Sequence, residues 1–251
     1  MGLLNQIQSS RQSQRKGLAI LLDPDKFESK SIDQIVHYQD IADFFLLGGS
    51  LMTRNSVAAV CSKIRSVSTL PVVLFPGNIF QVIPDADAIL FLSLISGRNP
   101  DLLIGQHVHA APILRESGLE VIPTGYMLVE SGKLTSAHYM SGTMPIPADK
   151  PDIAACTAMA GELLGLKLIY LDAGSGATKP VSSETVAAVK NAVDLPVVVG
   201  GGIRSPEDAE RILDAGADYI VIGNALEREG GEALIAEIRP VLRKYPANVS
   251  G

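Results

Sequence analysis

Cysteine is nearly absent from this chain, with two residues among 251. Cys61 and Cys156 lie far apart, fall in helical patterns and form no CxxC pair. A disulfide framework is therefore excluded, and both are expected as small core residues in a reducing compartment. Charge is sparse as well, at 19% of residues, and the net value of −6 is offset by no Lys/Arg-rich stripe. That balance argues against nucleic-acid binding as the main activity. No apolar run approaches the roughly 18–20 residues that a membrane-spanning helix needs. Residues 1–17 are too polar for a signal peptide, and Gln6 stands where myristoylation prefers Ser or Thr. A soluble, cytoplasmic protein is expected. Of the four histidines, His107 and His109 are two apart on a helical pattern and face different ways, while His37 and His138 are isolated. None is assigned a catalytic role.

What the chain does have is apolar sequence, 47% of it, arranged in short runs separated by amphipathic stretches. Strands are expected at 18–22, 43–47, 71–75, 87–92, 119–123, 166–171, 195–199 and 218–222. Each is almost continuously hydrophobic, as parallel strands buried on both faces should be. Helices are expected at about 32–41, 54–66, 101–117, 152–164, 182–193, 206–215 and 228–244. Eight such repeats without a break in composition predict a single (β/α)8 TIM barrel over 1–251, with 1–16 as a short N-terminal extension. Ser205-Pro206-Glu207-Asp208 reads as a helix start, with a cap, a proline and acids in the first turn. Gly118, Gly165 and Gly216 read as helix stops.

One repeat is irregular. Between the third and fourth strands only residues 76–86 (PGNIFQVIPDA) are available, bounded by prolines. A whole crossover needs at least about 10–12 residues including its helix. The third crossover helix is therefore expected to be shortened or replaced by a loop, leaving a gap in the outer ring. Ile79, Phe80, Val82 and Ile83, with Phe91, Leu94 and Ile95 nearby, either line an opening for a greasy ligand or patch the core under a short loop.

Three glycine clusters follow the last three strands: YLDAGSGATKP (170–180), VVVGGGIRSPEDA (197–209) and VIGNA (221–225). Glycine-rich strand ends leading into helices gather backbone N–H groups around a phosphate. The first strand runs into Asp23, Pro24, Asp25 and Lys26, and the second into Gly48, Gly49 and Ser50. Taken singly, Asp23 reads as a cap and the glycines as a turn. Facing a phosphate site, a carboxylate and a hydroxyl on neighbouring strand ends suit Mg²⁺.

DPDK, GGS, PTGYMLVESG, YLDAGSGA, VVGGGIRSPEDA and IGNA occur here in order, after strands one, two, five, six, seven and eight. In these motifs the chain closely resembles the geranylgeranylglyceryl phosphate synthase family, in the branch with bacterial and archaeal members, over nearly its whole length. GGGIR and GNA are shared with other phosphate-binding barrels; DPDK, PTGY and YLDAGSG in this order are specific. The resemblance implies a Mg²⁺-dependent prenyltransferase. It would join a polyprenyl group, typically geranylgeranyl, from its diphosphate to the 3-hydroxyl of sn-glycerol 1-phosphate in ether-lipid biosynthesis.

Carried over by motif, the resemblance puts Mg²⁺ on Asp23 and Ser50. It puts glycerol phosphate on Tyr170, Leu171, Asp172, Ala173, Gly174, Ser175 and Gly176, on Gly201 and Gly202, and on Gly223 and Asn224. Asp172 is the candidate base, acting directly or through a water because it is one methylene shorter than the glutamate many family members carry, and Tyr126 either shields the allylic cation, lines the tail groove or packs on Met127. The resemblance also implies a homo-oligomer, possibly a hexamer, and a transient contact with membrane for the lipid product.

Lys26 is a candidate for the diphosphate, as are Arg98 and Asn99, although Asn99 reads equally as a helix cap. Lys179 is within reach of either phosphate, and Arg204 is expected to pair with acids of its own helix start. Two rivals use the same loops: a sugar-phosphate or flavin-dependent barrel enzyme, and a non-catalytic phosphate-lipid binder. A Schiff-base aldolase fits poorly, because Lys167 begins its strand and Lys26 lies beyond a strand tip.

Overall fold

Eight parallel strands pair in sequence order and the last closes on the first. They are β1 (Gly17–Leu22), β2 (Phe44–Leu47), β3 (Val72–Leu74), β4 (Ala88–Leu94), β5 (Glu120–Leu128), β6 (Leu168–Asp172), β7 (Val197–Gly200) and β8 (Tyr219–Ile222). The helices are α1 (Leu3–Gln12), α2 (Lys30–Tyr38), α3 (Val57–Val67), α4 (Gln106–Ser117), α5 (Ser136–Ser141), α6 (Pro151–Leu163), α7 (Ser183–Ala192), α8 (Pro206–Asp214) and α9 (Gly231–Arg243). This computed structural model describes residues 2–28, 30–54, 56–223 and 231–246.

The strands look uniformly apolar because each faces two cores. Alternate side chains, among them Ala19, Leu46, Val73, Leu90, Ile122 and Val198, fill the barrel interior. The intervening ones, such as Ile20, Leu47, Leu74, Ile169, Leu171 and Val199, pack outward against the helices. Because every strand runs the same way, every C-terminal end reaches the same mouth.

The N-terminal segment is a helix rather than a loose extension. Leu3 and Ile7 of α1 plug the lower end of the barrel interior. The Glu120 carboxylate, at the start of β5, accepts from the exposed amides of Leu3 at 2.5 Å and Leu4 at 3.0 Å, anchoring the positive end of α1. Ser10 Oγ meets Tyr219 OH at 3.0 Å. The polar sequence hid this helix, since only a narrow stripe of it is buried.

The third crossover is as short as its sequence requires. A single 3-10 turn, Ile79–Gln81, joins β3 to β4. Asn78 Oδ1 accepts from Phe80 N at 3.0 Å, and buried Gln81 donates to Gly49 O at 2.8 Å, tying the turn to the end of β2.

Strand β5 is longer than expected. Thr124, Tyr126 and Leu128 pair with Leu168, Tyr170 and Asp172, so PTGYML lies inside the strand and not after it. Proline and glycine there suggested a strand end. Gly125 instead makes room: a Cβ on it would stand 2.9 Å from Ile95 Cδ1 and 3.0 Å from Ile169 Cδ1. The short α5 was also not anticipated. Cys61 is buried as expected, whereas Cys156 is exposed on α6, which presents more apolar surface to solvent than a fully covered helix would.

If α1 is a structural plug, Ile7→Ala should cost about 2–4 kcal/mol in urea unfolding. Ligand binding at the opposite mouth should be unchanged, as calorimetric titration with glycerol phosphate would show.

Candidate active site

A cavity of about 220 Å³ opens at the C-terminal mouth. On one side stand the ends of β1 and β2, with Asp23, Lys26, Gly49 and Ser50. On the other stand the glycine loops of β6, β7 and β8, with Ser175, Gly176, Gly201, Gly202 and Gly223. Tyr126, Tyr170 and Asp172 form the floor between them. The two groups expected at opposite ends of one site thus share one cleft.

The glycine loops pack against each other too closely for side chains. Gly201 and Gly202 take φ values of +81° and +74°. A Cβ on Gly201 would lie 2.8 Å from Asp172 Oδ1, and one on Gly202 would lie 2.4 Å from Lys179 O. Only glycine meets both demands. Ser205 caps α8, accepting from Asp208 N at 3.2 Å, and the expected helix start is present.

Not every residue of these motifs reaches the cleft. Leu171 and Ala173 turn their side chains into the outer core. The Gly174 amide is occupied, donating to Asp172 Oδ1 at 2.7 Å. Asn224 lies outside the described residues. Arg98 donates to its neighbour Gly97 O at 2.7 Å, and Asn99 Oδ1 accepts from Asp101 N at 3.0 Å, so Asn99 is a cap. Neither lines the cleft, and Lys179 is exposed away from it.

Arg204 corrects an expectation. Its backbone amide meets Asp208 of its own helix, but its guanidinium crosses to the β6 loop, donates to Ala177 O and lines the cleft. His138, expected to be isolated, lies close enough to Asp172 to act on its charge. It is buried in α5, where Nδ1 accepts from Thr135 N at 3.0 Å in a reciprocal cap, and its positive form would interact with Asp172. The Thr-x-x-His spacing carries that signal, with histidine in the position usually held by Glu or Gln.

Asp172 is the chemical centre of the floor. Only 7% exposed, it accepts at Oδ2 from Tyr126 OH at 2.5 Å and at Oδ1 from Gly174 N. Burial pushes the carboxyl pKa up, although both hydrogen bonds and nearby His138 favour the anion. The Tyr126 phenol is held well above its ordinary value, by burial first and then by the Asp172 charge. The proton in this pair therefore resides on Tyr126. Phe75 stacks on Tyr170 at 5.1 Å and meets Tyr126 edge-on at 5.7 Å, so Tyr126 packs in an aromatic cluster and not simply on Met127.

At the acidic end, Asp23 Oδ1 accepts from Asp25 N at 3.0 Å and its Oδ2 lies 3.6 Å from Lys26 Nζ. Asp23 thus caps a 3-10 turn and still faces the cleft. The donor set of one carboxylate and one hydroxyl, open to solvent, fits a hard cation that keeps most of its waters. Among the described residues no cluster of three or more His, Cys, Asp or Glu could cage a metal.

A second cavity, about 330 Å³, joins the cleft at Gly49, Ser50, Phe75 and Tyr126. It runs through the gap left by the missing helix, between Ile79 and Val82 on one side and Leu102 and Ala110 on the other, over Phe91. Ile79, Val82, Phe91 and Leu94 therefore line an opening, whereas Ile83 and Ile95 pack against the core and Phe80 faces solvent.

Fold and cleft together define an enzyme-like (β/α)8 barrel with a glycine-lined rim and an apolar side groove. Residues 11–242 match the PcrB family. The chain is 54% identical over 239 residues to the geranylgeranylglyceryl phosphate synthase of Spirosoma linguale, covering 94% of this chain and 95% of that one. It is 41% identical over 237 residues to that of Korarchaeum cryptofilum, covering 93% and 97%. The crystal structure of (S)-3-O-geranylgeranylglyceryl phosphate synthase from Thermoplasma acidophilum, in complex with substrate sn-glycerol-1-phosphate, superposes with a TM-score of 0.90 at 31% identity, covering 97% and 99%. The chain belongs to the PcrB family, the geranylgeranylglyceryl phosphate synthases, and is a prenyltransferase.

The raised Asp172 pKa has a stability consequence. Since folding favours the protonated form, this group's contribution is full below its unfolded pKa and is lost as pH rises through the folded value. Asp172→Asn should remove that loss and leave the protein at least as stable at neutral pH, measured by urea unfolding across pH. Tyr126→Phe, by deleting a bond to the anion, should raise the Asp172 pKa further in an NMR titration.

Proposed function

We propose that the protein transfers a geranylgeranyl group from its diphosphate to the 3-hydroxyl of sn-glycerol 1-phosphate, releasing diphosphate. The observation that carries this reading is the single cleft in which glycine loops face Asp23 and Ser50 across buried Asp172, with an apolar groove leaving from the junction. Family membership and the sn-glycerol-1-phosphate complex of the Thermoplasma acidophilum structure support the choice of acceptor.

In this reading Ser175, Gly176, Gly201, Gly202 and Gly223, with Arg204, hold the glycerol phosphate. Tyr170 walls its glycerol end. Asp23 and Ser50 hold Mg²⁺, which when bound neutralises charge on the leaving diphosphate. Lys26 adds a cation beside Asp23. The isoprenoid tail lies in the groove between Ile79 and Leu102.

The allylic C–O bond breaks with its electron pair going to diphosphate. The glycerol oxygen forms the ether bond to that carbon, and its proton passes to Asp172. Tyr126 holds the carboxylate through its phenol and turns its ring toward the reacting carbon, where an aromatic face stabilises positive charge. Fixing both partners in one cleft makes the attack effectively intramolecular.

Incubation with geranylgeranyl diphosphate, sn-glycerol 1-phosphate and Mg²⁺ should yield a prenyl ether that chelation by EDTA abolishes. The 3-phosphate enantiomer should react far more slowly. Asp172→Asn should lower kcat by about 10²–10⁴-fold, the range for loss of a positioned base. No metal-dependent ether from any prenyl diphosphate would overturn the assignment.

A further inference from the structure

Lys133 comes just after the PTGYMLVESG segment and belongs to none of the motifs, yet its ammonium stands at the glycine-loop end of the cleft. Beyond its own neighbours in the chain, a Cβ on Gly176 would meet one atom within 4 Å among the described residues: Lys133 Nζ, at 3.7 Å. Gly176 lines the cleft, and so does Ser136, three residues after Lys133. The lysine itself is exposed, at the lip between them.

The placement follows from how two loops lie against each other. Thr178 Oγ1 donates to Ser131 O at 2.5 Å. Gly132, at φ +85°, packs so closely on Thr178 that a Cβ there would lie 2.7 Å from its Oγ1. Thr135 fills the space that a Cβ on Gly174 would need. Residues 131–135 therefore run back along residues 174–178, with Ser131 against Thr178 and Thr135 against Gly174. Lys133 falls midway, against Gly176. The register puts it there, not the wandering of a surface side chain.

The charges at this end of the cleft call for a cation. A phosphate monoester carries about −1.5 to −2 at neutral pH. The Gly174 amide is already bound to Asp172, so it cannot serve an anion. Arg204 reaches the β6 loop from the β7 side, at Ala177 O, and supplies one positive charge. Lys26 stands at the far end, beside Asp23. Among the described residues no hydrogen bond or ion pair engages Lys133.

We propose that Lys133 closes on the phosphate of the acceptor from the β5 side while Arg204 holds it from the β7 side, so that the cleft takes an alcohol bearing a phosphate dianion. The inference rests on the proposed function, in which the glycine loops hold sn-glycerol 1-phosphate. An ammonium on a flexible four-carbon stem suits the lip, because it swings aside as the acceptor enters and then settles on the anion as a point charge.

The test is titration calorimetry of the whole protein with sn-glycerol 1-phosphate alone, at low and high salt, for the native chain, Lys133→Met and Lys133→Arg. Turnover with geranylgeranyl diphosphate and Mg²⁺ is measured in parallel. Lys133→Met should raise both Kd and KM for glycerol phosphate about tenfold. The KM for the prenyl donor and kcat at saturating acceptor should stay within about twofold of native. Its affinity should also fall less with added salt than that of the native protein, since one screened contact is gone. Lys133→Arg, which keeps the charge, should recover most of the loss. Equal Kd for the native protein and Lys133→Met overturns the proposal, as does a loss that falls on the donor's KM, or a Lys133→Arg as weak as Lys133→Met. Calorimetry reads the acceptor without turnover, so a native protein that binds glycerol phosphate and forms no ether would sink the proposed transfer and leave the role of Lys133 standing. One that binds no glycerol phosphate would overturn both.

Discussion

A carboxylate buried at the mouth of the barrel is the constraint around which the site is arranged. Asp172 is removed from water, and hydrogen bonds from the Tyr126 phenol and the Gly174 amide, with nearby His138, favour its charge. Burial without pairing would keep it protonated and chemically idle. The partners that prevent this come from adjacent structure: Tyr126 from the neighbouring strand, in register with Tyr170, and Gly174 from the turn just beyond. The same turn needs Gly201 beside it, because any Cβ there would collide with Asp172 Oδ1. One acid thus draws together Tyr126 of β5, the turn at Gly174 after β6 and Gly201 after β7.

The second constraint is an omission. A complete third crossover helix would cover β4 between α3 and α4 and would fill the groove with its own side chains. A 3-10 turn instead leaves Phe91, Leu102 and Ala110 lining open space. The missing burial is a loss to stability, partly offset by Gln81, whose buried amide bridges the turn to Gly49. That bridge also joins the groove wall to the strand end that carries Ser50, so the groove and that end of the cleft are mechanically linked.

The barrel was legible because its physics is repetitive. Strands buried on both faces gave near-continuous apolar runs, and glycines with caps marked the helix ends, as at Gly118 and Ser205. The short third crossover followed from chain length alone. What escaped notice depended on contacts between distant residues. Helix α1 is stabilised by Glu120, more than a hundred residues away, and little in its own polar sequence announces a buried face. The extent of β5 was hidden because Gly125 serves packing, not a turn. In the site, the loops and Asp23 could be read from motifs. The Arg204 reach to Ala177 and the occupation of the Gly174 amide arise from contacts between loops that no motif marks.

The central claim is that the acceptor hydroxyl is delivered to Asp172 from the glycine loops while the allylic carbon arrives from the Asp23 side. A crystal structure with sn-glycerol 1-phosphate and a thiodiphosphate analogue of the prenyl donor bound together tests it most directly. The expected result places the 3-hydroxyl within about 3 Å of Asp172, a hydrogen-bond distance, and pointing at the analogue's first carbon. A glycerol seated with that hydroxyl away from Asp172, or a donor whose diphosphate lies on the glycine loops, would contradict it.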